Sequence, residues 1–93
     1  MDIQKAREQI MPIIKKYNIS KAALFGSIVT GKMRDDSDID LLVDMPQNSS
    51  LFDLLRVKIA LEEKLGRRVD IIQYKAIKLR LKDEILSRQV SVY

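Results

Sequence analysis

Apolar residues return every three or four positions at the start of the chain. Ile3, Ala6, Ile10, Ile13, Ile14 and Tyr17 share one face at helical period, which predicts a first helix ended near Asn18. Pro12 stands inside that pattern and is expected to kink the helix or shorten its first half, because proline has no amide N–H and crowds the preceding turn. The period then changes. Lys21–Phe25 (KAALF) is a short apolar run stopped by Gly26-Ser27, the mark of a buried strand. Ile28 to Met33 has room for one helical turn at most. Asp38–Val43 (DIDLLV) predicts a second strand, closed by Asp44-Met45-Pro46. Ser49 or Ser50 then caps a helix, and Ser50-x-x-Asp53 is a capping box with Asp in place of Glu or Gln. Leu51, Leu54, Leu55, Ile59, Leu61 and Leu65 give this helix a broad apolar face, and Gly66 suits a left-handed stop. Arg68–Ile72 (RVDII) predicts a third strand. Ala76 to about Arg88 predicts a last helix, with Ile77, Leu81 and Ile85 in four-residue steps. Val90–Val92 reads as an extended tail or a short edge strand.

The element order is α-β-β-α-β-α. It defines an α/β (α+β) protein whose small mixed sheet, of three to four strands, is backed by helices. Residues 1–93 read as one domain, with no repeat and no linker to divide them. The first two strands are joined by roughly ten residues, too few for a comfortable helical crossover, so they should be antiparallel. The second and third are joined by a full helix, so they should be parallel. That topology brings the end of the first strand (Gly26-Ser27), the start of the second (Asp38) and the start of the third (Asp70) to one edge of the sheet.

Composition narrows the chemistry. The 93 residues include no cysteine and no histidine. Disulfides, thiolate zinc sites, cysteine nucleophiles, Ser-His-Asp triads and histidine ligands are therefore excluded. What is left is carboxylates, hydroxyls, Lys and Arg, backbone amides, or a metal held by oxygen. No apolar run reaches the roughly 18 residues that span a bilayer, and the first residues lack the pattern of a secretory signal, so a cytoplasmic protein with no membrane contact is expected. The net charge of +4 is unevenly spread, with most of the basic excess in residues 56–93. A basic half suits a polyanionic partner such as a nucleotide, or simply a solvated lysine-rich surface.

Within those limits three features stand out. Asp38 and Asp40 share one face of a strand while Ile39 points to the other. Two carboxylates so close repel unless a cation lies between them, and Mg²⁺ is commonly bound by one or two carboxylates plus phosphate oxygens and water. Asp70 would complete a set for two metals about 3.5–4 Å apart, as in phosphoryl and nucleotidyl transfer. The plain alternative is a group of exposed acids at strand ends. Gly26-Ser27 ends an apolar strand, where glycine lets backbone amides approach a phosphate and serine adds a hydroxyl; the plain alternative is an ordinary turn. Gly26 to Lys32 nearly spells a P-loop, but Met33 replaces the metal-binding hydroxyl and no helix follows. Asp36-x-Asp38-x-Asp40 lacks the glycine of a calcium-binding EF-hand loop, since Leu41 stands there.

Taken together, Gly26-Ser27, Gly31, Ser37-Asp38-Ile39-Asp40-Leu41 and Val69-Asp70-Ile71 resemble the minimal nucleotidyltransferase family of the DNA polymerase beta superfamily. These are small proteins often found as antitoxins beside HEPN-domain toxins. The resemblance covers nearly the whole chain and implies the nucleotidyltransferase fold. It implies that Gly26 and Ser27 hold the triphosphate of a nucleoside triphosphate. Asp38, Asp40 and Asp70 would bind two Mg²⁺ ions, with Asp70 also acting as base or positioning group for an attacking hydroxyl. The implied reaction moves a nucleoside monophosphate, AMP from ATP, onto a hydroxyl, a tyrosine of a partner HEPN toxin. One departure is plain: many relatives carry an arginine between the two glycines, where this chain has Ile28, Val29 and Thr30. That leaves open a contact-only module that neutralises its partner without turnover. A nucleic-acid binder using the basic half is a further alternative, disfavoured because few aromatics are available for stacking.

Overall fold

The computed structural model describes residues 2–31, 34, 37–77 and 89–93. Helix α1 spans Ile3–Lys16 and is capped by Asp2, whose carboxylate accepts the Lys5 N–H at 2.8 Å. Ala6, Ile10 and Ile14 are buried, and Ile3, Ile13 and Tyr17 pack beside them. The expected shortening at Pro12 does not occur, and α1 begins at Ile3. Pro12 and Glu8 are both exposed, so the carbonyl that loses its partner one turn back lies where water can serve it. Asn18 leaves the helix with a positive φ of 56°, a conformation asparagine tolerates better than most residues.

Strand β1 is Lys21–Phe25, followed by the single turn α2 (Ser27–Thr30). Strand β2 is Ile39–Asp44 and strand β3 is Val69–Gln73, each starting one residue later than the sequence suggests. Between them lies α3, Leu51–Leu65. Both bonds of its capping box form: the Asp53 N–H donates to Ser50 Oγ and the Ser50 N–H donates to the Asp53 carboxylate. Gly66 ends the helix in the left-handed conformation, φ +66°. A 3₁₀ turn follows at Tyr74–Ala76, and Val90–Ser91 forms strand β4.

The sheet order is β3-β2-β1-β4. β1 runs antiparallel to β2, β2 parallel to β3, and β4 antiparallel to β1, so the tail is the edge strand that the sequence allowed. One face of the sheet presents Ala22, Leu24, Ile39, Leu41, Val43 and Val69 to α1 and α3, and the core lies there. On the other face Ala23 and Leu42 are also fully covered. Tyr74 closes against the end of the chain through its hydroxyl, which bonds Gln89 at 2.7 Å.

Two expectations need correction. The broad apolar face of α3 is split. Leu61 and Leu65 are buried along with Val57, while Leu51, Leu55 and Ile59 are 80%, 50% and 48% exposed. At 100° per residue these form two adjoining stripes, and only one reaches the sheet. The last helix does not begin at Ala76, because Ile77 is extended (φ −71°, ψ 126°) after the 3₁₀ turn. Residues 78–88, including Leu81 and Ile85, lie outside the described residues. No helix among the described residues is long and apolar enough to cross a membrane.

Candidate active site

Strand register builds this site. Phe25 pairs with Asp40 across the antiparallel ladder, and Asp40 pairs with Asp70 across the parallel one. Paired residues point to the same side of a sheet, so Asp40 and Asp70 stand next to each other on the face away from α1 and α3. Gly26 follows Phe25 and turns the chain back over Asp40 with φ +79°. A Cβ there would run into the Asp40 carboxylate, its Cγ only 3.2 Å away. Glycine is needed twice, for the backbone conformation and for the space. The Gly26 carbonyl accepts the N–H groups of Val29 and Thr30 at 3.1 and 3.2 Å, which closes the turn that Ser27 opens.

The structure thus brings Gly26, Asp40 and Asp70 together and puts Ser27, by its backbone, at the first position of α2. Asp38 lies just before β2 and is exposed. It is near enough to act on Asp40, whose carboxyl is raised above the ordinary carboxylate value. Partial burial is the main cause, followed by the negative charges of Asp70 and then Asp38. Three acids that raise the pKa of the middle one form a seat short of positive charge, which fits a divalent cation. They do not form a closed cage: among the described residues no three carboxylates gather tightly enough to hold a metal unaided. The donor set suits Mg²⁺, which takes one or two carboxylates and fills its shell with phosphate oxygens and water.

A groove of about 360 Å³ opens beside Asp70, walled by Leu51, Leu54, Leu55, Lys58 and Ile71. A larger depression runs along α1, lined by residues such as Arg7, Glu8 and Met11, and includes none of the five candidate residues. We assign the chemistry to the carboxylate row, because converging charge rather than volume marks a reactive site.

Sequence reasoning missed Arg67. Its guanidinium donates to the carbonyl oxygens of Arg34 and Ser37, at 2.9 and 3.3 Å. The only trace in the sequence is a basic pair just before the third strand. Ile28, by contrast, is 6% exposed and part of the core, and Val29 packs against it. Ile28 and Val29 therefore serve packing, and Thr30, the residue before the second glycine where many relatives were expected to place an arginine, is exposed.

The chain matches the Polymerase beta nucleotidyltransferase family over residues 8–93 and belongs to it. It is an enzyme of the nucleotidyltransferase class. Among its relatives is MJ0435 of Methanocaldococcus jannaschii, provisionally named a protein adenylyltransferase, which is 41% identical over 92 residues covering 99% of each chain. The protein adenylyltransferase MntA of Thermococcus cleftensis is 32% identical over 78 residues, 84% of this chain and 79% of that one. A solved structure described as a minimal nucleotidyltransferase superposes with a TM-score of 0.83 at 34% identity, over 97% of this chain and 95% of the other. The fold is shared, at 16% identity and a TM-score of 0.74 over 97% and 71% of the two chains, with a structure of a tri-AMPylated Shewanella oneidensis HEPN toxin in complex with its MNT antitoxin.

Proposed function

We propose that this chain is a Mg²⁺-dependent protein adenylyltransferase that moves AMP from ATP to a tyrosine hydroxyl of a HEPN-type partner toxin. It thereby acts as an antitoxin in the cytoplasm, as one domain over residues 1–93. The observation that carries this reading is the in-register pair Asp40–Asp70 beneath the Gly26 turn. The names of the relatives support the adenylyl donor, and the AMPylated HEPN complex of the same fold supports the acceptor.

Each residue has a chemical part. Asp38 and Asp40 would hold the cations, and the Gly26-Ser27 turn would seat the triphosphate over them. The bound cations would supply charge neutralisation and polarise the reacting phosphate. Asp70 lies on the open side of Asp40, against the groove. It orients the acceptor hydroxyl and takes its proton as the oxygen attacks the α-phosphorus. The new O–P bond forms as the bond to pyrophosphate breaks, so one hydroxyl becomes one adenylate ester and pyrophosphate leaves.

The contact-only reading is favoured by one observation, the uncharged stretch Ile28 to Thr30 between the two glycines. One experiment separates the two. The chain is incubated with its neighbouring HEPN protein, Mg²⁺ and ATP labelled at the α-phosphate, and intact masses are measured. Gain of adenylate on the partner, removed by a tyrosine-to-phenylalanine change there, supports the transfer. A neutralised partner of unchanged mass refutes transfer and establishes contact.

A further inference from the structure

Asp38 lies before its strand, with no ladder bond of its own to fix it, yet the proposed chemistry needs its carboxylate in one place. The structure supplies a clamp. The Ser37 carbonyl, just before Asp38, accepts from Arg67 at 3.3 Å. The Ile39 N–H, just after Asp38, donates to the Arg68 carbonyl at 2.9 Å. Consecutive residues of one segment thus hold the backbone on both sides of Asp38. The same segment enters β3 and reaches Asp70 two residues after Arg68.

Arg67 reaches further back as well. Its guanidinium also bonds the Arg34 carbonyl at 2.9 Å, and that carbonyl accepts the Ser37 N–H at 3.1 Å. The Arg34 N–H in turn donates to Ser37 Oγ at 2.8 Å. Arg34 and Ser37 are therefore bonded to each other and, through the Arg67 side chain, to the segment that enters β3.

We infer that Arg67 is a positioning residue that sets Asp38 relative to Asp40 and Asp70, and so tunes the affinity of the site for its divalent cation. The inference rests on the reading of the three aspartates as cation ligands. Arginine suits the task because Nη1 alone serves both carbonyls and the planar guanidinium holds its N–H groups in fixed directions, whereas lysine offers a compact charge on a flexible stem. A residue that orients a metal ligand from behind typically changes metal affinity about 10–100-fold when removed.

The test uses the full chain and Mn²⁺ as probe, with binding measured by electron paramagnetic resonance in the presence of a non-hydrolysable ATP analogue. Melting temperature is recorded alongside. Arg67→Gln should weaken Mn²⁺ binding at least about tenfold, and Arg67→Lys should restore only part of it. In turnover assays, excess Mn²⁺ should recover most of the lost rate, and KM for the acceptor should stay fixed. Wild-type Mn²⁺ affinity in both variants, with tight binding in the unaltered chain, overturns the inference alone. Absence of Mn²⁺ binding in the unaltered chain overturns the cation-site reading and this inference with it. Failure of both variants to fold also overturns it, since Arg67 would then serve the fold and not the site.

Discussion

Asp40 and Leu41 are neighbours on the central strand, and they belong to opposite halves of the molecule. Leu41 points to the face packed by α1 and α3 and is fully buried in the core. Asp40 points to the other face, beside a second carboxylate and beneath a glycine turn. The first face is made of shape and apolar area. The second sets carboxylates side by side, and the Asp40 carboxyl is raised there, chiefly by its partial burial and then by the charges of Asp70 and Asp38. On the proposed function, stability and activity fall on alternate residues of one strand, and changes on the two faces should have opposite signatures.

The sharpest break is Asp40→Asn. It removes a charge from a crowded row without changing shape, so adenylyl transfer should fall below detection while the melting temperature holds or rises. A wild-type rate in this variant would exclude Asp40 from the site. Asp70→Asn comes next: nucleotide binding by calorimetry should persist, with transfer slowed about 10²–10⁴-fold, the usual contribution of a general base. Loss of nucleotide binding would make Asp70 an essential ligand instead. On the packed face, Leu41→Ala should cost about 2–5 kcal/mol in urea unfolding while the surviving folded fraction keeps its specific activity.

Smaller effects come from the helix cap. Ser50→Ala removes the acceptor of the Asp53 N–H and should lower stability by about 1 kcal/mol, measured by chemical unfolding. The cap also predicts a pH dependence. The Asp53 carboxyl is held below the ordinary carboxylate value, chiefly by the Ser50 N–H, with Ser50 Oγ and Arg56 adding to it. Folding favours its ionised form, so the contribution is complete above the unfolded value and is lost as pH falls through the lower folded value. Asp53→Asn should thus flatten the loss of stability as pH falls below the ordinary carboxylate range, measured by chemical unfolding at stepped pH.

What the sequence disclosed follows the same division. KAALF, DIDLLV and RVDII show their strands because buried strands leave continuous apolar runs, and Ser50-x-x-Asp53 and Gly66 show the ends of α3 because caps are local chemistry. The alternation of Asp38-Ile39-Asp40 and the strand order together pointed to the sheet edge where Asp40, Asp70 and Gly26 meet. Other features are tertiary. Period alone ranks Leu51, Leu55 and Ile59 with Leu61 and Leu65, because the decision between two adjoining stripes is made by the sheet beneath them. Arg67 was invisible because its partners are carbonyl oxygens some thirty residues away, and any residue supplies a carbonyl.

The central position of β2 also governs the order in which the reactive row comes into being. Pairing Phe25 with Asp40 closes a short loop, while pairing Asp40 with Asp70 closes one about twice as long and must carry α3 across the sheet. Doubling a loop adds only about 0.6 kcal/mol of closure entropy, but distant pairings form later and slow the search. The carboxylate row is therefore complete only once the β2–β3 ladder has formed. On the proposed function, unfinished chains would hold no seat for a triphosphate, and nucleotide would act as a selective weight on the finished state. At a ligand concentration of about 100 times Kd that weight amounts to about 2.7 kcal/mol, comparable to losing a buried leucine side chain from the opposite face.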